Sequence, residues 1–190
     1  MPFKISVVTG APVWDTLPVA KITNYPFETA AFKTFAHVRA CLNEEGLQLR
    51  LLAFETKKRP ESYLQASFSP VSCPRRLDVQ VFADGALRVL QSREGEPAGE
   101  LASHGVRAVP FEGEDLEGVY WGALVSLELS WLQGQFPEVS WRAGGEIRGN
   151  FYKACTAPDF AHIGCYAPTP SQVDQIEDEK QFQTFPLVAY

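Results

Sequence analysis

A chain of 190 residues, 45% hydrophobic and 12% aromatic, has the size and composition of one compact domain spanning residues 1–190 around a single core. Its 17 Lys and Arg against 23 Asp and Glu leave a formal charge of −6, which opposes loading onto phosphate backbones or anionic lipid, so neither nucleic acid nor a membrane is expected as a partner. No basic segment followed by an apolar run and a small-residue cleavage site opens the chain, and no stretch approaches the ~20 apolar residues of a membrane span; a cytoplasmic protein is expected.

Taken in order, Phe3 to Thr9, Ala31 to Cys41 and Leu47 to Thr56 are the first predicted strands. Phe32, Thr34, Ala36 and Val38 alternate with Lys33, Phe35, His37 and Arg39, giving an apolar and a mixed face. Asn43-Glu44-Glu45-Gly46 is a turn-rich link that predicts a hairpin, as does Ala83-Asp84-Gly85 between the strands Leu77 to Phe82 and Ala86 to Gln91. Ser92 to His104 is polar and turn-forming.

Val119 to Leu129 is the next predicted strand, with Trp121 in phase with Ala123, Val125 and Leu127 and therefore on the core side. Leu127 to Phe136 then closes one helical turn, with Ser130 as its cap and Gly134 as its stop. Glu146 to Ala154 and Phe182 to Ala189 complete the strands, separated by the acidic surface loop Thr169 to Lys180. Alternating runs without sustained helical periodicity predict an all-β fold: a two-sheet antiparallel β-sandwich, immunoglobulin- or jelly-roll-like, with few short helical turns.

Four cysteines, Cys41, Cys73, Cys155 and Cys165, are too few and too scattered for a disulfide scaffold or a zinc site, so reduced, buried thiols are expected. Cys155 and Cys165 border one loop and are the pair whose oxidation is conceivable. With His162 they form the one local thiol and imidazole grouping, without a third orienting group, and no enzymatic activity is expected. Glu112, Glu114, Asp115 and Glu117 read as solubilising loop charges rather than a glycosidase pair.

The stretch Gly144 to Tyr166 places Arg148, Asn150 and Tyr152 on one side of a strand, a row able to grip a polar ligand. Trp14, Thr29 to His37, Leu47 to Glu55, Tyr120-Trp121 leading into Leu129 to Leu132, Arg148-Gly149-Asn150-Phe151-Tyr152-Lys153, Tyr166-Ala167-Pro168-Thr169 and a terminal Phe182 to Tyr190 strand follow one another along the chain. In that order and spacing they resemble the carbohydrate-binding module family 9-like domains, two-sheet sandwiches related to the DOMON group.

The resemblance implies a non-catalytic module that binds a mono- or oligosaccharide, clamping the ring between two tryptophans and bonding its hydroxyls with charged and amide side chains. On this chain it places the strand glutamate at Gln80, the strand arginine at Arg88 and the amide-bearing strand at Asn150 and Tyr152, with Arg148 in the same row and Tyr166 at the edge. Where the family carries its tryptophans, this sequence has Tyr63 and Phe68 before Leu77 and no aromatic from Pro168 to Lys180. The family's calcium is not expected, because Asp15 is the one acidic ligand before Glu28 and calcium takes six to eight oxygens. No cofactor is expected. The alternative is an intracellular interaction or structural module that kept the sandwich and lost the sugar.

Overall fold

The computed structural model describes residues 2–27, 33–72, 75–93, 96–168 and 179–190. Glu28, Cys73 and the acidic residues Asp174, Glu177 and Asp178 fall outside the described residues. The strands are β1 (Ile5–Val7), β2 (Ala20–Ile22), β3 (Ala36–Asn43), β4 (Gly46–Phe54), β5 (Ser62–Ser69), β6 (Arg75–Phe82) and β7 (Leu87–Arg93). They continue as β8 (Gly99–Glu100), β9 (Val106–Asp115), β10 (Gly118–Glu128), β11 (Glu146–Cys155), β12 (His162–Cys165) and β13 (Gln183–Ala189), with one short helix α1 (Leu129–Gln135).

Both expected hairpins form. Asn43 pairs with Gly46 across the Glu44-Glu45 turn, where Asn43 Oδ1 accepts the Glu45 and Gly46 amides. Gly46 sits at φ +135°, and a Cβ there would lie 2.0 Å from the Leu127 carbonyl oxygen, so no side chain fits. The Ala83-Asp84-Gly85 turn joins β6 to β7, with Gly85 at φ +89° and the Asp84 carboxylate accepting the Ala86 amide.

The strands run in the order β8-β7-β6-β5-β11-β13-β1-β3-β4-β10-β9, with β12 beside β11 and β2 beside β3. This sheet curls on itself because β13 serves two layers. Its first half pairs with β11 through Gln183–Pro186, and its second half pairs with β1 through Leu187–Ala189. The change of partner follows Pro186, and Leu187 exchanges bonds of 2.8 Å with Gly144 and Gly145 there. Most pairs are antiparallel as expected, but β1 runs parallel to both β13 and β3.

Two layers result, packed through one shared core. Leu47, Leu49, Leu51, Val38, Ala123 and Val125 come from one layer, and Leu64, Ala66, Phe68, Val79, Val81 and Phe151 from the other. Trp121 is buried with them, as its phase predicts. Phe151 lies at the seam, stacked on Phe185 at 5.3 Å and edge-on to Phe3 at 5.5 Å.

Strands β5 and β9 were not apparent from the sequence, for different reasons. In β5, Tyr63, Gln65, Ser67 and Ser69 face one way and Leu64, Ala66 and Phe68 the other, so small and amide side chains dilute the apolar signal. β9 carries Pro110, Glu112, Glu114 and Asp115, which belong to an outermost strand and not to a loop. An edge tolerates proline and charge because it lacks a second partner to satisfy. In α1, Glu128 rather than Ser130 stands at the N-cap, and Gly134 lies within the helix.

On the outward side of the β3/β4 layer, His37 lies beside Lys21, Arg39 and Arg50. Burial first, then repulsion from Arg39, Arg50 and Lys21, lowers its pKa from 6.5 to about 4. The unfolded chain therefore takes up a proton that the fold refuses as pH falls from 6.5 to about 4. Stability is expected to fall through that window, and urea titrations at about pH 7 and about pH 4.5 should show a smaller loss for His37→Gln than for the parent protein.

Candidate functional site

The site is built on alternation in β11. Ile147, Phe151 and Lys153 point into the core, so Arg148, Asn150, Tyr152 and Ala154 share the opposite face. Register carries that face across the layer. Tyr152 stands opposite Gln65, Gln65 opposite Gln80, and Gln80 opposite Arg88. One step along, Asn150 stands opposite Ser67, which stands opposite Asp78; one further, Arg148 stands opposite Ser69. Gln80, Arg88, Asn150, Tyr152 and Arg148 are therefore brought onto one layer face.

The polar groups of this face form a directed chain. Gln80 Nε2 donates to Gln65 Oε1 at 2.7 Å, Gln65 Nε2 donates to Ser67 Oγ at 2.9 Å, and Ser67 Oγ donates to Asp78 Oδ1 at 2.5 Å. Arg76 Nε closes the chain on the same carboxylate oxygen at 2.7 Å. Such a chain fixes the Gln80 amide plane and leaves its carbonyl oxygen and second N–H for another partner. Arg88 has a side chain 48% exposed, and its contact with Glu100 is long at 3.8 Å. An exposed ion pair of that length holds a guanidinium weakly.

Exposure separates the members of the row. Asn150 and Tyr152 are fully buried, so they underlie the face instead of forming its surface. Asn150 Oδ1 accepts the Phe151 and Ala167 amides at 2.9 and 2.8 Å and so ties β11 to the chain that follows β12, while its Nδ2 is buried with no hydrogen-bond partner among the described residues. Tyr152 packs with Cys165, Ile163 and Phe182. Arg148 donates to the Glu179 carbonyl at 2.5 Å, holding the start of the last segment against the sheet.

Tyr166 stands apart from the others. Its ring packs on Phe3, Phe151 and Phe185, on the core side of the layer, and burial pushes its hydroxyl pKa up. The single-residue step from Cys165, which faces Tyr152, reverses the side. Phe68 is likewise core, whereas Tyr63 shares the Gln80 face and stands opposite Ala154 and Phe82. Gln65, Ser67 and Asp78 carry the polar chain; the signal for the first two was the Tyr-x-Gln-x-Ser-x-Ser alternation in β5.

The thiols are placed where they do little together. Cys41, Cys155 and Cys165 are all buried. Cys165 stands opposite Tyr152 and Cys155 opposite His162, on opposite faces of the β11/β12 hairpin. His162 has Nδ1 at 2.9 Å from the Phe160 carbonyl and Nε2 at 3.2 Å from Lys153 Nζ, so both nitrogens are engaged. Among the described residues no group of His, Cys, Asp and Glu is arranged to hold a metal ion, and no helix is long and apolar enough to cross a membrane.

Lys153 brings a charge into the core. It is fully buried and meets Glu55 at 3.4 Å, Ser62 Oγ at 3.4 Å and the Ala154 carbonyl at 3.1 Å, with the Trp121 ring at 5.8 Å. Glu55 in turn accepts from Ser62 Oγ at 2.9 Å and Trp121 Nε1 at 2.8 Å. Burial, opposed by Glu55, holds the lysine below its usual range.

No protein-family model matches the sequence, and no curated protein matches it. Solved structures do match. A Bacteroides uniformis protein assigned to carbohydrate binding superposes with a TM-score of 0.80 at 14% identity, over 97% of this chain and 98% of that one. A carbohydrate-binding module family 9 domain from Caldicellulosiruptor kristjanssonii in complex with glucose superposes with a TM-score of 0.65 at 10% identity, over 98% and 96% of the two chains.

The chain has a family 9-like fold.

The cellotriose complex of a family 9 module from the same organism agrees, at a TM-score of 0.63 and 10% identity over 98% and 95% of the chains. At these identities the family 9 fold is what is shared, and it accounts for the two curled layers joined through β13.

Proposed function

We propose that this protein binds a mono- or oligosaccharide, without transforming it, on the face where Gln80 and Arg88 meet solvent. The observation that carries the reading is the directed amide chain through Gln65 and Gln80, which ends beside a loosely paired guanidinium. A preset amide carbonyl, an amide N–H and a guanidinium match vicinal hydroxyls, which both donate and accept. Family 9 modules of the same fold were solved with glucose and with cellotriose, which supports the ligand class. Asn150 and Tyr152 act below the surface, holding β11 in register with β5, and Arg148 secures the last segment.

The test is a glycan array that includes glucose, galactose, cellobiose and xylobiose, repeated on Arg88→Ala. Loss of one charged hydrogen bond should weaken a hit by about 2 kcal/mol, roughly thirtyfold in Kd. A hit that survives unchanged on Arg88→Ala rules out this face.

The competing reading, a sandwich that meets a protein partner, draws on the outward side of the other layer. There Phe35, Phe54, Tyr120 and Phe111 contact one another in series, next to exposed Val109 and Leu124. Exposed apolar patches of this kind mark interaction surfaces. Silence across the array would favour it.

A further inference from the structure

On the layer that does not carry Gln80, a cavity of about 500 Å3 opens over one end of β4, β10 and β9. Glu45, Gln48, Arg107, Ser126 and Glu128 line it, with His104 beside them. Ligand sites span roughly 300 to 1,000 Å3, so this one has room for a small molecule.

Register sets charges of opposite sign side by side. Gln48 stands opposite Ser126 and Ser126 opposite Arg107, on the side of the layer that faces away from the core. Glu128 lies two residues along β10 from Ser126, which makes it the diagonal neighbour of Arg107, about 7 to 8 Å away. Glu45 flanks Glu128 from the next strand: Glu128 stands opposite Gly46, and the Glu45 carbonyl accepts the Leu129 amide at 2.9 Å. Even so, among the described residues Glu45, Glu128 and Arg107 form no ion pair with one another or with any other side chain. The floor between them is preset. Ser126 Oγ donates to Gln48 Oε1 at 2.6 Å, and Gln48 is more than nine-tenths buried. With its proton committed, the Ser126 oxygen offers only lone pairs to the cavity, which suits an N–H donor.

We infer that this cavity binds a basic α-amino acid: its carboxylate meets Arg107, its α-ammonium meets Glu128 and Ser126 Oγ, and its side-chain cation meets Glu45. The charges match one for one. A guanidinium takes a carboxylate through two parallel bonds, and an α-amino acid carries its ammonium on the adjoining carbon, so the Arg107–Glu128 diagonal suits that pair of groups. A neutral sugar would leave all three protein charges unmatched. Sugar binding on the Gln80 face neither requires this site nor competes with it.

NMR titration of the full labelled chain with L-lysine, norleucine and cadaverine tests each charge in turn. Norleucine lacks the side-chain cation, and cadaverine lacks the carboxylate. L-lysine should bind at least about tenfold tighter than either, with shifts centred on Gln48, Arg107, Ser126 and Glu128. Its Kd should rise several-fold in about 0.5 M salt, because these charges face solvent. Arg107→Gln should reduce lysine to the affinity of cadaverine, and Glu45→Gln should reduce it to that of norleucine. Both positions are exposed, and circular dichroism checks that the variants fold. Equal binding of the three compounds overturns the inference, as does a preference for lysine that survives Arg107→Gln. The absence of saturable shifts with any of them overturns it too and leaves the glycan result standing.

Discussion

Replacing Lys153 with Met should cost about 3 to 5 kcal/mol of folding stability, the range for breaking a buried ion pair from one side. Glu55, almost fully buried, would keep its bonds from Ser62 and Trp121 but lose its counter-charge. The cost is the unpaired carboxylate and not the missing ammonium, because methionine fills most of the lysine stem's volume. In a domain of this size that lowers Tm by roughly 10 °C. The double replacement Glu55→Leu with Lys153→Met should recover most of the loss, since an apolar pair of similar volume is often neutral. Thermal unfolding of the two single variants and the double variant gives the coupling directly, and additive losses would show that the pair does not act as a unit.

Phe151→Ala should be comparably severe, about 3 to 5 kcal/mol for emptying a fully packed aromatic position. Phe151 touches Phe3, Phe68, Tyr166 and Phe185, and those rings come from the residues before β1, from β5, from the residues after β12 and from β13. Collapse around the void is resisted because Phe185 belongs to β13, which is held by β11 on one side and β1 on the other. β11 carries Asn150 and Tyr152 on the face opposite Phe151, so a shift of this strand is expected to weaken sugar binding as well. Denaturant titration measures the first effect. Phe151→Leu should lose less than half as much if volume is the cause.

The legible part of this molecule was the part written in alternation. β3, β4, β6, β7, β10, β11 and β13 each have one mainly apolar side and one mixed side, and the hairpins at Glu44-Glu45 and Asp84-Gly85 announce themselves by turn residues. β5 and β9 escaped because Ser, Gln, Pro and Glu weaken the apolar period, yet β5 supplies the centre of the polar chain. Parity placed Arg148, Asn150 and Tyr152 on a common face, because parity is a local property of one strand. Depth is not local: Asn150 and Tyr152 are covered by segments distant in sequence, including Phe182 and Ala167. Tyr166 followed the same logic, since the chain turns after Cys165 and delivers its ring to Phe3 and Phe185. The Lys153–Glu55 pair joins residues 98 apart in sequence and has no local signature.

The most direct test of sugar binding on the Gln80 face is a two-dimensional NMR titration of the labelled protein with glucose and then cellobiose, following side-chain as well as backbone signals. The account predicts saturable shifts of the Gln80 and Gln65 side-chain amides and the Arg88 Nε–H, with the signals of Phe35, Tyr120 and Phe111 unmoved. Shifts confined to that second group, or confined to residues of the other layer, would contradict it.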